Sequence, residues 1–343
     1  MTLSEDTVSS GPARAGATQP SVLHVNDAAF TAERMITEAR RRGYTWDFLP
    51  KAAPAQDWRG LTGHARKAVI GAAWVARLKL LARRHDIVHV HSASTLAHSR
   101  LGAPRYVVHC HGTDVHTALY DSARSGSIIA GLRDAEAVCY ATPDLAEHVL
   151  PHRPDATYVP IPIDVSDVSI DIPANNRPTV FFASRWSRDK GVAVELEVAR
   201  GLAALGDKVD IVGIDWGPSA AEAAAIGVRL VPRCDHADFV RLLAGADVVI
   251  GQATGNLGVS DLETLAVGSP LLIPVPIPLY ADTAPPVLGG SVADTVAAAE
   301  ALVAGSRPHD ADGVRSWVRD RHGVPAAVDI VAKVHRDVLA ARR

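Results

Sequence analysis

Thr179-Val-Phe-Phe-Ala183 is followed by Ser184-Arg-Trp-Ser-Arg-Asp-Lys-Gly191 and then by Val192-Ala-Val-Glu-Leu-Glu-Val-Ala-Arg-Gly-Leu-Ala-Ala-Leu205. The first piece is a short apolar run, the mark of a buried strand. The last has the length and apolar spacing of a helix. Val209–Gly213 then reads as another strand. A strand, a tight loop, a helix and a second strand imply parallel strands joined by a crossover helix.

The same rhythm extends both ways. Toward the C-terminus, helices are read at Ala220–Ala225, Ala237–Ala244, Ser260–Val267 and Val292–Val303, and strands at Val228–Val231, Ala246–Ile250 and Pro270–Pro274. Toward the N-terminus, strands at Ser21–Asn26, Tyr44–Leu49, Asp86–His91, Arg105–Cys110, Ala137–Ala141 and Thr157–Pro160 alternate with helices at Thr31–Arg42, Gly63–Arg84, Thr95–Leu101, Leu119–Leu132 and Pro143–Leu150. Pro162, Pro173 and Pro178, with Asp164, Asp167 and Asp171, interrupt the pattern and mark a boundary. The expected division is a flexible tail over 1–20, one α/β domain over 21–170 and a second over 171–324. A closing helix over 325–343 is expected to return to the first domain. The fold class is α/β, with two Rossmann-like domains facing across a cleft, which becomes the default site.

Composition limits the function. The chain has 343 residues, 48% hydrophobic, and a net charge of −3, so it is globular and lacks the basic excess that a nucleic-acid polymer demands. The three cysteines, Cys110, Cys139 and Cys234, are odd in number and far apart, which fits a reducing compartment. No basic start leads into an apolar stretch, so a cytoplasmic protein is expected. Gly63–Arg84 has an Ala-rich centre and basic ends. Burial against a sheet is the preferred reading, with peripheral contact at the inner membrane face as the alternative.

Three stretches carry chemistry. Asp86-Ile-Val-His-Val-His91 and Tyr106-Val-Val-His-Cys-His-Gly-Thr-Asp114 each end a strand in His-x-His. Residues two apart share a face, so His89, His91, His109 and His111 can cluster. One reading is a zinc site. The preferred one is a polar strand end, with His111 hydrogen-bonding a substrate and Asp114 orienting a partner. Second, Arg185 and Lys190 lie between a strand and a helix N-terminus, where a diphosphate can be held; a solvated charged loop is the plain alternative. Third, Ala246-Asp-Val-Val-Ile-Gly-Gln-Ala-Thr-Gly-Asn-Leu-Gly-Val-Ser-Asp-Leu-Glu-Thr-Leu-Ala266 runs from a buried strand through a glycine-rich loop into a helix. Its helix start offers N–H donors, and Glu263 can accept from a ribose diol.

Together these stretches resemble the retaining glycosyltransferases of the GT-B fold, family 4 type. His111-Gly-Thr-Asp114 resembles the family's His-Gly-x-Asp. Ser184-Arg-Trp-Ser-Arg-Asp-Lys-Gly191 resembles its Gly-Arg-x-x-x-x-Lys-Gly, with serine for the first glycine. Gly255 to Glu263 covers its paired-glutamate motif, and Tyr158-Val-Pro-Ile-Pro-Ile-Asp164 its domain-crossing stretch. The resemblance implies a nucleotide-diphosphate sugar donor. Arg185 and Lys190 would hold its diphosphate, supported by Gly258 and Val259. Glu263 would hold the ribose, Asn256 and Leu257 would face the sugar, and His111 and Asp114 would serve catalysis. It also implies retention of configuration without a metal or other cofactor. A small-molecule, lipid or glycan acceptor would sit on the first domain, near Asp27 and His91, although a helix cap is the preferred role for Asp27.

Two positions depart from the family. Gly255 stands where the first glutamate belongs, and Asn26-Asp-Ala-Ala-Phe-Thr31 replaces a Gly-Gly loop. Gly255 supports a second reading, a catalytically degenerate sugar-nucleotide-binding partner protein. A nicotinamide-dependent dehydrogenase would need Gly-x-Gly-x-x-Gly after a first strand, and neither Asn26–Thr31 nor Ser184–Gly191 supplies it.

Overall fold

A parallel strand buried on both faces needs apolar side chains in near-continuous runs, and the strands here have them. The computed structural model describes residues 19–51, 60–165, 177–280 and 283–343. The first sheet comprises β1 (Val22–Val25), β2 (Trp46–Leu49), β3 (Ile87–His91), β4 (Val107–Cys110), β5 (Ala137–Tyr140) and β6 (Thr157–Tyr158). Helices α1 (Thr31–Arg41), α2 (Gly60–Ala82), α3 (Leu96–Gly102), α4 (Thr113–His116), α5 (Ser125–Asp134) and α6 (Ala146–Val149) fill its crossovers. The second sheet comprises β7 (Thr179–Phe182), β8 (Asp210–Ile214), β9 (Arg229–Val231), β10 (Val248–Ile250), β11 (Leu271–Ile273) and β12 (Leu288–Gly289). Its helices are α7 (Val192–Ala203), α8 (Ala220–Ile226), α9 (His236–Gly245), α10 (Val259–Ala266) and α11 (Val292–Val303), followed by α12 (Ala311–His322) and α13 (Val324–Ala341).

Both sheets are parallel throughout, with orders β2-β1-β3-β4-β5-β6 and β12-β11-β10-β7-β8-β9. Chain direction across the sheet reverses between β1 and β3 in the first and between β7 and β10 in the second. In open α/β sheets the crevice beyond the strand ends at such a reversal takes the ligand.

Helix α13 lies on the first sheet. Its Val328, Val331, Val334 and Val338 are buried with Met35 and Ile36 of α1 and Val22, Ile87 and Val107 of the strands. Each buried valine contributes about 1.5–3 kcal/mol. The Arg42–Asp329 bridge between α1 and α13, at 2.6 Å with Asp329 exposed, adds only about 0–1 kcal/mol. Apolar contact therefore holds the helix down.

Several expectations need correction. α2 is buried on one face only: Trp74, Leu78 and Leu81 reach the core shared with the strands, while Val69 and Leu80 are exposed. Alanine on its remaining faces gains little from burial. α5 starts at Ser125 instead of Leu119 because Asp121 turns the chain, its carboxylate accepting from the Ala123 N–H at 2.9 Å. α12 has too few apolar residues to stand out in the sequence, but Asp310 caps it, accepting from the Gly313 N–H at 2.9 Å. The tail up to residue 18 and the boundary near residue 170 lie outside the described residues. Among the described residues no helix is long and apolar enough to cross a membrane.

Gly191 joins the two loops at the second reversal. Its φ is +79°, and a Cβ there would lie 2.3 Å from the carbonyl oxygen of Ala253. Ala253 in turn donates its N–H to the Lys190 carbonyl at 3.0 Å. Gly191→Ala therefore meets both a left-handed backbone cost of about 1–2 kcal/mol and a backbone collision. We expect a stability loss above about 2 kcal/mol in chemical denaturation. Gly112→Ala, which has a φ of +137° but open space around it, should lose less.

Candidate functional site

The loops after β7 and β10 meet at the second reversal, and loops of the first domain close over them. Ala29 and Phe30 from the loop after β1 join Arg185, Lys190, Gln252 and Glu263 in lining a cavity of about 420 Å³ between the domains. Ala29 and Phe30 hold φ values of +50° and +62°, a left-handed conformation that costs side-chain-bearing residues energy and recurs at functional sites.

Lys190 follows from its loop. A single 3-10 turn over Arg188–Lys190 ends at Gly191, where α7 begins. This turns the lysine inward, and its Nζ donates to Gln252 Oε1 at 2.6 Å. Among the described residues no carboxylate forms a salt bridge with it. Burial pulls its pKa down, partly offset by Asp261. A half-buried ammonium on a neutral amide has unspent attraction for an anion. Arg185 sits beside it, paired with the exposed Asp189 and 5.5 Å from the Trp216 ring. That surface pair is weak and exchangeable.

Behind the lysine lie two buried carboxyls. Asp261 accepts from the Gly258 N–H at 2.8 Å and the Gln252 N–H at 3.3 Å, and burial raises its pKa to about 6. Glu195 accepts from the Ser184 hydroxyl through Oε1, its Oε2 has no partner, and burial raises its pKa to about 8. Serine in place of the first glycine of the phosphate motif thus anchors a carboxyl that keeps its proton at neutral pH.

Glu263 is buried on α10. Its Oε1 accepts from Arg34 of α1, across the cleft, and pairs with His236 Nε2 at 2.8 Å. Arg34 also donates to the Pro162 carbonyl at 3.1 Å, and Phe30 packs on the His236 ring at 5.0 Å. Nearby, Asn256 donates to Asp144 of the first domain at 3.2 Å. Gly255 holds a φ of +76°, and a Cβ here would meet only the Pro276 carbonyl oxygen, in ordinary contact at 3.9 Å, so a glutamate would be opposed by backbone conformation and not by crowding.

The structure brings Arg185, Lys190, Gly258, Val259 and Glu263 to one cavity. Others stand elsewhere. Leu257 is fully buried and its N–H donates to Tyr280 Oη at 2.8 Å, so it does not face a sugar. The Gly258 N–H is already given to Asp261, leaving Val259 and Ser260 at the open helix end. Asp27 caps α1, accepting from the Ala32 N–H at 2.8 Å. Asp114 is buried and receives the N–H groups of Ala93 (2.8 Å), Gly112 (2.9 Å) and His111 (3.1 Å). It shapes the turn under His111, and the groups it holds are backbone N–H donors of that turn and of Ala93.

His111 is half-buried at the end of β4, and burial lowers its pKa to about 4 despite Asp114. His91, expected beside an acceptor, is fully buried: its Nδ1 lies 3.0 Å from His111 Nε2 and its Nε2 lies 3.0 Å from His24 Nδ1. It stands one layer below His111.

Sequence reasoning missed Arg34, Gln252, His236, Glu195 and Trp216. Gln252 carried a signal, a polar residue two positions after a buried strand at a reversal. Arg34 carried none, because its partner is far away in the chain.

No protein-family model and no curated protein sequence matches the chain. Solved structures do. One is HepE of Anabaena in complex with UDP-glucose, at 13% identity and a TM-score of 0.65, covering 93% of this chain and 100% of that one. AviGT4, a glycosyltransferase involved in avilamycin A biosynthesis, is similar at 18% identity and a TM-score of 0.61, covering 94% and 98%. The lipopolysaccharide outer core galactosyltransferase WaaB, in its apo form, is similar at 12% identity and a TM-score of 0.60, covering 94% and 100%. At these identities the likeness establishes the fold: the chain has the GT-B architecture.

The Glu195 carboxyl gives a pH test. Its folded pKa of about 8 lies above the ordinary 4.5. Its contribution is therefore fully present below about pH 4.5 and is lost as pH rises through about 8. Glu195→Gln removes that dependence. Denaturation midpoints should show the variant gaining on the parent from pH 5 to pH 9, by a difference on the order of a few kcal/mol. Parallel pH curves would contradict a buried protonated carboxyl.

Proposed function

We propose that this chain is a glycosyltransferase that moves a sugar from a nucleoside-diphosphate donor to an acceptor bound by the first domain, with retention of anomeric configuration. The observation that carries the reading is Lys190, a half-buried cation on a neutral amide at the reversal point of a Rossmann-order sheet. A diphosphate supplies the charge it lacks. Arg185 can leave Asp189 to bind phosphate bidentately, and the α10 N-terminus with Val259 and Ser260 adds dipole and N–H donors. These groups meet the charge that develops on the departing diphosphate, so no metal is required there. The HepE structure holds UDP-glucose on the same fold, which supports the donor class.

Glu263 has its Oε1 occupied by Arg34 and His236, while among the described residues no hydrogen bond reaches Oε2. That oxygen can accept from ribose hydroxyls without breaking the contact between the domains. His111, neutral at working pH, can donate to a sugar hydroxyl, and Asp114 fixes its backbone. The exposed Val69 and Leu80 of α2, among Lys67, Arg77, Lys79 and Arg83, suit contact with an anionic membrane surface and so a lipid-borne acceptor.

Gly255 favours a second reading, a donor-binding protein without turnover, because no carboxylate at that position meets the sugar. One experiment separates the two. Calorimetry with nucleoside diphosphates, followed by a nucleotide-sugar panel read by diphosphate release, should show binding and turnover. Lys190→Ala should weaken binding at least about tenfold, or about 1.4 kcal/mol, and Glu263→Ala should weaken donor binding. Binding without turnover across a broad acceptor set supports the second reading. If no nucleoside diphosphate binds, both are wrong.

A further inference from the structure

Strands β1, β3 and β4 lie side by side, with His24 in register with His89 and His91 in register with His109. The two-residue period puts His89 and His91, and then His109 and His111, on one face of the sheet. His335 of α13 closes over them, its Nε2 2.9 Å from His89 Nδ1. Neighbouring rings stack: His109 and His111 at 4.3 Å between centroids, His89 and His91 at 4.7 Å, His24 and His89 at 4.9 Å.

As packing, this is a poor solution. Five ring nitrogens in the cluster are buried without a partner: His24 Nε2, His89 Nε2, both of His109, and His335 Nδ1. Each is a polar atom withdrawn from water for nothing, and valine or leucine would fill the space without that loss. The sugar-transfer reading uses only His111. Lone pairs of several neutral imidazoles converging in one place are what a borderline transition-metal ion binds.

Two triads have one nitrogen per residue within 4.8 Å of the others, His24/His89/His91 and His91/His109/His111. Imidazoles on a tetrahedral zinc ion have nitrogens about 3.4 Å apart, so modest side-chain rotation suffices for either. Charge and access decide between them. Around the inner triad every ring is fully buried, and the charged side chain that acts on His24 is the cation Arg40. A dication there would lack a balancing charge. The outer triad adjoins the Asp114 carboxylate, which accepts from the His111 backbone. Half-buried His111, at the C-terminal end of β4, opens it to solvent, giving an entry path and a free coordination position. His91 also has the support a ligand needs: with Nδ1 on the ion, its Nε2–H donates to His24 Nδ1.

We infer that His91, His109 and His111 form a binding site for a zinc-type transition-metal ion, with the fourth position turned to solvent. The inference does not depend on the sugar-transfer reading, since the three imidazoles bind metal whatever the second domain holds. The ion would ligate through the His111 ring and would meet solvent in its place.

The test uses tag-free, full-length protein stripped with chelator and dialysed against Zn²⁺ or Co²⁺. Elemental analysis should give one zinc per chain, and the cobalt form should show the intense visible bands of tetrahedral coordination. His109→Phe fills its space without a ligand atom and should weaken zinc binding at least tenfold, while His89→Phe should keep it. Circular dichroism checks that both variants fold. If His109→Phe does not, His111→Ala, at the end of β4, carries the same expectation. Failure of the parent chain to bind either ion, or binding retained without His109 or His111, overturns the site. Loss in His89→Phe with retention in His109→Phe overturns it in favour of the inner triad.

Discussion

A lysine ammonium drawn out of water and set against a neutral amide is the constraint on which the second domain's architecture depends. Lys190 reaches Gln252 only because Gly191 turns the chain with a positive φ hard against Ala253. That contact locks the loop after β7 to the loop after β10. Asp261 and Glu195 stand behind the lysine, yet burial keeps their pKa values high, about 6 and about 8. Glu195 keeps its proton at neutral pH and adds no charge there. Asp261, at about 6, is ionised and offsets part of the lysine's charge, so one carboxylate and not two stands against the cation.

The first domain contributes closure. Arg34 spans the cleft to Glu263, and Phe30 covers His236. Both partners of the ion pair are largely withdrawn from solvent, so removing one would strand a buried charge, a loss of about 3–5 kcal/mol where burial is complete. The pair therefore fixes how the domains meet more than it adds to net stability. Strained Ala29 and Phe30 sit where that closure occurs. A loop with glycines in those positions would avoid the strain but would not carry the aromatic ring that packs on His236.

The strand-helix alternation made both parallel sheets legible, because parallel strands require long apolar runs and crossover helices. The apolar face of α13 was legible as a face. Its return to the first domain was expected as well, and the contacts with Val22, Ile87 and Val107 that hold it there come from residues far away in the chain. Helix α12 was not legible, since only Val314, Trp317 and Val318 mark it. In the site, Arg185 and Lys190 stand out by charge after a strand. Leu257 misled, because a glycine-rich loop suggests open backbone, whereas Tyr280 had taken its N–H. Arg34 and His236 are ordinary surface residues in sequence and gain meaning only from the cleft. Likewise, His-x-His on two strands predicts a cluster, but His24 and His335 join it through register and helix packing.

On the proposed function, the anion deficit at Lys190 is where a nucleoside diphosphate binds. A crystal structure of the chain with a nucleoside diphosphate tests this most directly. Phosphate oxygens are expected on Lys190 Nζ and the Arg185 guanidinium, ribose hydroxyls on Glu263 Oε2, and the Arg34 bridge to Oε1 intact. A diphosphate bound elsewhere, with Lys190 still on Gln252 and Arg185 still on Asp189, would contradict it.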